Sequence, residues 1–313
     1  MHSNILALTN THPRDAHITF QEEGHKYTIH TDLNSKYTSV TTWNHSHFPH
    51  FNADQVIANM MKGKNWNPEN KYWNMTSEEI KKLWTDNGAA VSGAGTEMHE
   101  QIECFMNNPH VPYPYTQADL AEYYLHLCTF KTLSSGAVMS ERVDADCAFE
   151  MRNDVNLHRC KEDTTKVVAE WQYFLDFLKN NPTLKPYRTE WMIYHEDLKL
   201  SGSIDMVYEN PDGTLLIYDW KRSKEINRVN KFNKYAITQC IDHLPDSNFW
   251  HYSMQLNTYK AILEAKYEKK VVGLYLVRLH PDASEKTYDL IKVPDLSNYI
   301  EELFQLRKNE LHL

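Results

Sequence analysis

The chain has 313 residues, 41% of them hydrophobic, and a formal net charge of −9. With 19 Tyr, 11 Phe and 8 Trp it is too apolar and aromatic for a disordered chain, and it is long enough to bury a large core. An acidic protein as a whole repels nucleic acid, so any contact with a polyanion must be local. No apolar stretch approaches the roughly 18–20 residues of a membrane span. Met1 to Ala16 has one Arg and only the short apolar patch Ile5 to Leu8, which fits neither a secretory nor a transit signal. The default expectation is a soluble, intracellular, cytoplasmic protein. Its five Cys are odd in number and none has Cys-x-x-Cys spacing, which favours free thiols over disulfides or structural zinc.

In chain order, Tyr27 to His30 and Tyr37 to Thr42 are rich in β-branched and aromatic residues. With Asp32 to Ser35 as the turn between them, they predict a β-hairpin. A short helix is expected from Asp54 to Lys62. Thr76-Ser77-Glu78-Glu79 has the form of a capping box, and the helix it opens is expected to stop at Gly88. Further helices are predicted over Thr96 to Met106, Gln117 to Phe130 and Thr164 to Leu178, while Ser134 to Cys160 has no clear period. Strands follow over Tyr187 to His195 and Leu200 to Tyr208. The turn Asn210-Pro211-Asp212-Gly213 returns the chain along Thr214 to Lys221. A long helix over Phe249 to Lys266, strands over Val271 to Leu279 and Thr287 to Val293, and a helix over Asn298 to Leu311 complete the order. The pattern is that of a mixed α/β layer protein, with residues 1–88 as an extension packed on a core of residues 89–313.

Chemistry concentrates around the turn at Asp212. Side chains alternate along a strand, so Asp219 and Lys221 share a face, about 6.6 Å apart. A hairpin centred on Asp212 sets Asp205 opposite Asp219, and directly paired residues point to the same face. Two adjacent carboxylates repel unless a proton or a cation intervenes, and hard oxygen ligands suit Mg²⁺ or Mn²⁺. The plain alternative is a surface ion pair on an edge strand. Upstream, His99 and Glu103 lie at i, i+4 on one helix face. The zinc-protease pattern fails there, because position 103 is Glu rather than His. Gln255 and Tyr259 are also i, i+4, on a helix that could equally be an ordinary amphipathic one. Glu190 lies in the preceding strand and could reach the same cleft or stand in solvent. Lys221, Arg222, Lys224, Arg228, Lys231 and Lys234 form a basic strip interrupted only by Glu225. It reads either as a polyanion contact or as a solvated surface.

Taken in order, Gly95-Thr96-x-x-His99-x-x-Ile102-Glu103, Glu190, Gly202-Ser203-Ile204-Asp205, Asp219-Trp220-Lys221 and Gln255-x-x-x-Tyr259 resemble the PD-(D/E)xK nuclease superfamily. The likeness is to its RecB-type branch, which includes mitochondrial genome maintenance exonuclease and exonucleases of phages and large DNA viruses. The resemblance implies a restriction-endonuclease-like core with a mixed central sheet flanked by helices. It implies His99, Asp205, Asp219 and the carbonyl of Trp220 as ligands to Mg²⁺ or Mn²⁺, and Lys221 as the catalytic lysine. Gln255 and Tyr259 would line the site and help place the scissile strand, and Glu190 matches the acidic position on the preceding strand. Within the basic strip, Arg222, Lys224, Arg228 and Lys231 are the residues expected to guide the nucleic acid. No Cys follows Cys240, so the iron–sulfur cluster of some relatives is not expected, and no helicase P-loop is present. The implied activity is DNA hydrolysis on single strands or ends, leaving 5′-phosphates. An RNA or DNA endonuclease of the cap-snatching kind is the alternative within the same chemistry, and a non-catalytic nucleic-acid-binding scaffold is the alternative outside it.

Overall fold

The computed structural model describes residues 4–108, 113–116 and 164–312. The predicted helix over Gln117 to Phe130 and the stretch Ser134 to Cys160 lie outside them. Among the described residues no helix is long and apolar enough to cross a membrane.

The N-terminal elements are α1 (Ile5–Thr9), a 3-10 turn (Pro13–His17), β1 (Ile18–Gln21), β2 (Lys26–Ile29), β3 (Thr38–Ser39), α2 (Val40–Ser46) and α3 (Ala53–Lys62). Then come α4 (Ser77–Met106) and α5 (Thr164–Asn180). Strands β4 (Lys185–His195), β5 (Leu200–Glu209) and β6 (Leu215–Lys221) follow. The chain ends with α6 (Asn248–Lys266), β7 (Val271–Arg278), β8 (Asp289–Lys292) and α7 (Ser297–Glu310).

Six strands form one mixed sheet between two apolar layers. β4, β5 and β6 are antiparallel neighbours, β6 and β7 run parallel through the α6 crossover, and β8 closes the edge. On one face lie Trp43 of α2, Phe249, Leu256 and Ile262 of α6, and Leu303 of α7. On the other lie Ile102 and Phe105 of α4 with Phe174 and Phe177 of α5. The alternation expected of β6 is realised: Leu215 and Ile217 enter the first layer, Tyr218 and Trp220 the second.

The expected hairpin does form from Tyr27 to Ile29, but with a different partner. β2 pairs with β1, Phe20 facing Tyr27 and Ile18 facing Ile29. Thr38 and Ser39 instead run parallel to β5, and Ser39 caps α2, whose Val40 and Trp43 are buried. Short β-rich segments carry no signal of their partner, and here the partner is long-range.

The capping box forms in both directions between Thr76 and Glu79. Its helix, however, runs on through Gly88 to Met106, uniting the two predicted helices. Gly88 keeps helical geometry because nothing diverts the chain there: Ala89 and Ala90 follow, and no proline stands nearby. Met98, Ile102, Phe105 and Met106 then anchor the far end. A Cβ on exposed Gly88 would meet nothing within 4 Å. Gly88→Ala is therefore expected to stabilise the protein by up to about 1 kcal/mol in urea unfolding. Destabilisation of similar size would show that the helix ends at this glycine.

Candidate active site

The β5–β6 register has the symmetry expected about Asp212. Met206 faces Tyr218, Val207 faces Ile217, and the same series sets Asp205 against Asp219. The ladder stops just short of that pair. Main-chain pairing gives way to a side chain: Asp205 Oδ2 accepts the Trp220 N–H at 3.0 Å. On the other side of the same residue, the Trp220 carbonyl accepts His99 Nε2 of α4 at 2.9 Å. A carbonyl only accepts, so Nε2 carries the proton and Nδ1 turns toward the acids. His99 Nδ1 lies 3.6 Å from Asp205 Oδ2 and 3.8 Å from Glu190 Oε1.

β5 owes its opening here to its neighbours. β4 occupies one edge, while β3 pairs with Leu200 and Ser201 and β6 with Met206 to Glu209 on the other. The stretch Gly202-Ser203-Ile204-Asp205 lies between those two partners. Across from it, Glu190 takes φ of 42°, and the β4–β5 register passes from Thr189–Met206 to Trp191–Ile204 around it. A left-handed Glu costs about 1–3 kcal/mol, a strain typical of functional sites. Ser203 Oγ steadies its carboxylate at 2.9 Å.

α6 supplies the opposite wall. Tyr259 is buried, its hydroxyl accepts Gln255 Nε2 at 3.0 Å, and its ring rests on Gly202. A Cβ at position 202 would fall 2.7 Å from Tyr259 Cε1. Gly202→Ala should cost about 1–3 kcal/mol in urea unfolding through overpacking, and displace Tyr259 from Gln255. Unchanged stability would mean that the ring moves aside freely.

Lys221 Nζ is 2.6 Å from Asp219 Oδ2 and 4.5 Å from the centre of the Tyr252 ring. Tyr252 was not singled out from the sequence, although it stands at i−3 from Gln255 on the same helix and a helical-face reading could have found it.

Not every expected residue converges. His99, Glu190 and Asp205 bring donor atoms within 4.8 Å of one another, so Glu190 joins the cluster of candidate ligands. Asp219 instead pairs with Lys221, and the Trp220 carbonyl is engaged by His99. Arg222 turns inward to an ion pair with Glu170 of α5. Lys224 is exposed, 3.9 Å from Asp282, and the Arg228 guanidinium lies 4.1 Å from the Phe249 ring centre. Lys231 is exposed beside Phe232, which is 82% accessible.

The electrostatics describe a site short of positive charge. Burial opposes protonation of His99, but Asp205 and Glu190 prevail and hold it up at about 9. Burial, with repulsion from Asp205, pushes Asp219 up to about 6 despite Lys221. Burial also raises Asp205, and His99 and Lys221 offset this only in part. Glu103 is pushed up to about 7 by burial and by Glu190 and Glu100. One imidazole nitrogen and two carboxylates suit Mg²⁺ or Mn²⁺, and protons held this tightly mark where a cation's charge fits.

His99 has a folded pKa above its ordinary 6.5, so its contribution to stability is complete below pH 6.5 and is lost as pH rises through about 9. In EDTA, urea unfolding from pH 7 to 9 should show falling stability in the wild type and a flatter profile in His99→Gln. Mg²⁺ or Mn²⁺ should reverse the wild-type trend, because a cation competes with the imidazole proton. Equal slopes for the two proteins would refute the pairing of His99 with the acids.

A comparison with curated proteins finds no match. The PD-(D/E)XK nuclease superfamily model matches residues 85–312. That span holds the Asp205, Asp219 and Lys221 constellation, the helical histidine and five of the six strands of the mixed sheet. The chain therefore belongs to the PD-(D/E)XK nuclease superfamily, a family of metal-dependent nucleases.

Proposed function

We propose that this chain is a deoxyribonuclease of the RecB-type branch, an exonuclease working on single strands or DNA ends and leaving 5′-phosphates. The observation that carries this is the closure of His99, Glu190 and Asp205 donor atoms to within 4.8 Å, next to the buried Asp219–Lys221 pair. His99 Nδ1, Asp205 and Glu190 would hold the cation, with Asp219 as a further oxygen donor of the expected set, while the Trp220 carbonyl orients His99 instead of binding the cation. When bound, Mg²⁺ or Mn²⁺ would withdraw charge from a phosphate oxygen and acidify water.

Lys221 stays protonated because Asp219 and Asp205 outweigh its burial. Its ammonium group can orient the attacking water and stabilise charge building on the phosphate. Tyr252 restrains that ammonium from the α6 side through its ring face. Burial keeps the Tyr259 hydroxyl protonated, so it and Gln255 can position the strand as neutral groups. Lys224, Arg228 and Lys231, with exposed Phe232, line a loop suited to guiding a backbone, while Arg222 ties that loop to α5.

The test is digestion of end-labelled DNA with Mn²⁺ or Mg²⁺, on free-ended and circular single strands, duplex ends and an RNA oligomer. Free-ended single strands should be degraded and circles spared. Lys221→Ala should lower the rate by about 100-fold or more while DNA binding persists. Binding without cleavage in either metal would overturn the enzymatic reading, and cutting of circles would overturn the exonuclease reading.

A further inference from the structure

The β1–β2 hairpin lies before residue 85, outside the segment that matches the family, yet it packs on β4, the strand that carries Glu190. Its register places Ile18 opposite Ile29 and Phe20 opposite Tyr27, and by strand alternation all four share one face. At one end of that face, Ile18 and Ile29 are buried against Tyr194 of β4, with Met192 packed alongside. The other end runs past this contact, and Phe20 there is 37% exposed. Phe20 and Tyr27 have ring centres 4.7 Å apart, and His25, at the turn, lies 4.9 Å from Phe20 and 5.9 Å from Tyr27.

Tyr27 and Met192 pack against the same cluster of Ile18, Ile29 and Tyr194, and Met192 is paired with Ser203, whose Oγ holds the Glu190 carboxylate. After burial, the charges of Glu190 and Asp205 are what raise the pKa of Tyr27, and Tyr27 in turn acts on Tyr259. The Tyr27 hydroxyl has no hydrogen-bonding partner among the described residues. A half-buried phenol on the hairpin face that packs on β4, with its donor unused, matches a phosphate oxygen. The rings beside it match an unpaired base, because aromatic stacking tolerates any base but requires one freed from its duplex partner.

We propose, resting on the nuclease reading above, that the β1–β2 hairpin is the strand-holding wall of the active site: Tyr27 donates its hydroxyl to a phosphate of the bound strand, and Phe20 and His25 stack on an unpaired base next to it. The hairpin thereby selects single strands over duplexes at the point of cleavage.

Phe20→Ala, His25→Ala and Tyr27→Phe test this, with unchanged thermal midpoints confirming that each variant folds. Steady-state cleavage of an end-labelled oligo-dT with Mn²⁺ should show KM raised about tenfold in Phe20→Ala at unchanged kcat. Tyr27→Phe should weaken the same step without loss of the stack. Fluorescence anisotropy in EDTA gives a second readout that needs no cleavage. The wild type should bind oligo-dT about tenfold more tightly than a strand of the same length with abasic residues, and Phe20→Ala should erase most of that difference. Wild-type KM and wild-type base discrimination in both Phe20→Ala and His25→Ala would overturn the proposal while leaving the nuclease reading intact. Absence of cleavage in the wild type would sink the nuclease reading, and base discrimination in the anisotropy experiment would still decide the hairpin's role.

Discussion

The peptide of Trp220 is the constraint on which the site depends. Its N–H goes to the Asp205 carboxylate and its carbonyl to His99, while the indole is buried against Phe174 and Phe177. One residue therefore spans from the core to the chemistry. Hydrogen bonds to charged groups are worth about 1.5–3 kcal/mol each, and here they also fix an imidazole tautomer and a carboxylate rotamer together. Because strands alternate, anchoring Trp220 on one side sends its neighbours Asp219 and Lys221 to the other. The three groups from α4, β5 and β6 are thus aligned by packing before any ligand arrives.

The sheet is irregular at this spot as well as at the register shifts between Pro186 and Arg188 and between Leu215 and Leu216. β3 and β6 share the same edge of β5 and leave a gap over Gly202 to Asp205, and Glu190 breaks the alternation of β4 across from that gap. Ile204 packs with the α6 layer and Met206 with the α4 layer, although they are only two residues apart. A regular sheet would bury both in one layer and pair Asp205's backbone with its neighbour. The distortion frees a carboxylate to bind a peptide N–H and lets Tyr259 lie against a residue without a side chain.

Much of this was legible from local patterns. The turn at Asp212 set the β5–β6 register, and period two put Asp219 and Lys221 together. The Gln255 and Tyr259 spacing marked the α6 face. What stayed hidden depends on distant chain. Arg222 looked like a phosphate contact because its partner Glu170 lies far upstream in sequence. Glu190 stayed open between the cleft and solvent because a left-handed backbone is invisible in residue type. Nothing near Tyr27 or Thr38 announces a partner, so the hairpin was paired with the wrong strand. Gly88 looked like a stop because the tertiary anchoring of α4 lies beyond it.

β3 is only two residues long, yet it has a consequence for anyone who would excise the nuclease segment. It covers Leu200 and Ser201, and the helix it leads into inserts Val40 and Trp43 among the side chains beneath the sheet. A fragment beginning near residue 85 would bare an unpaired main-chain edge beside a hollow in its interior, which is a recipe for self-association. In this protein the residues before the family segment supply a strand to its sheet and side chains to its core.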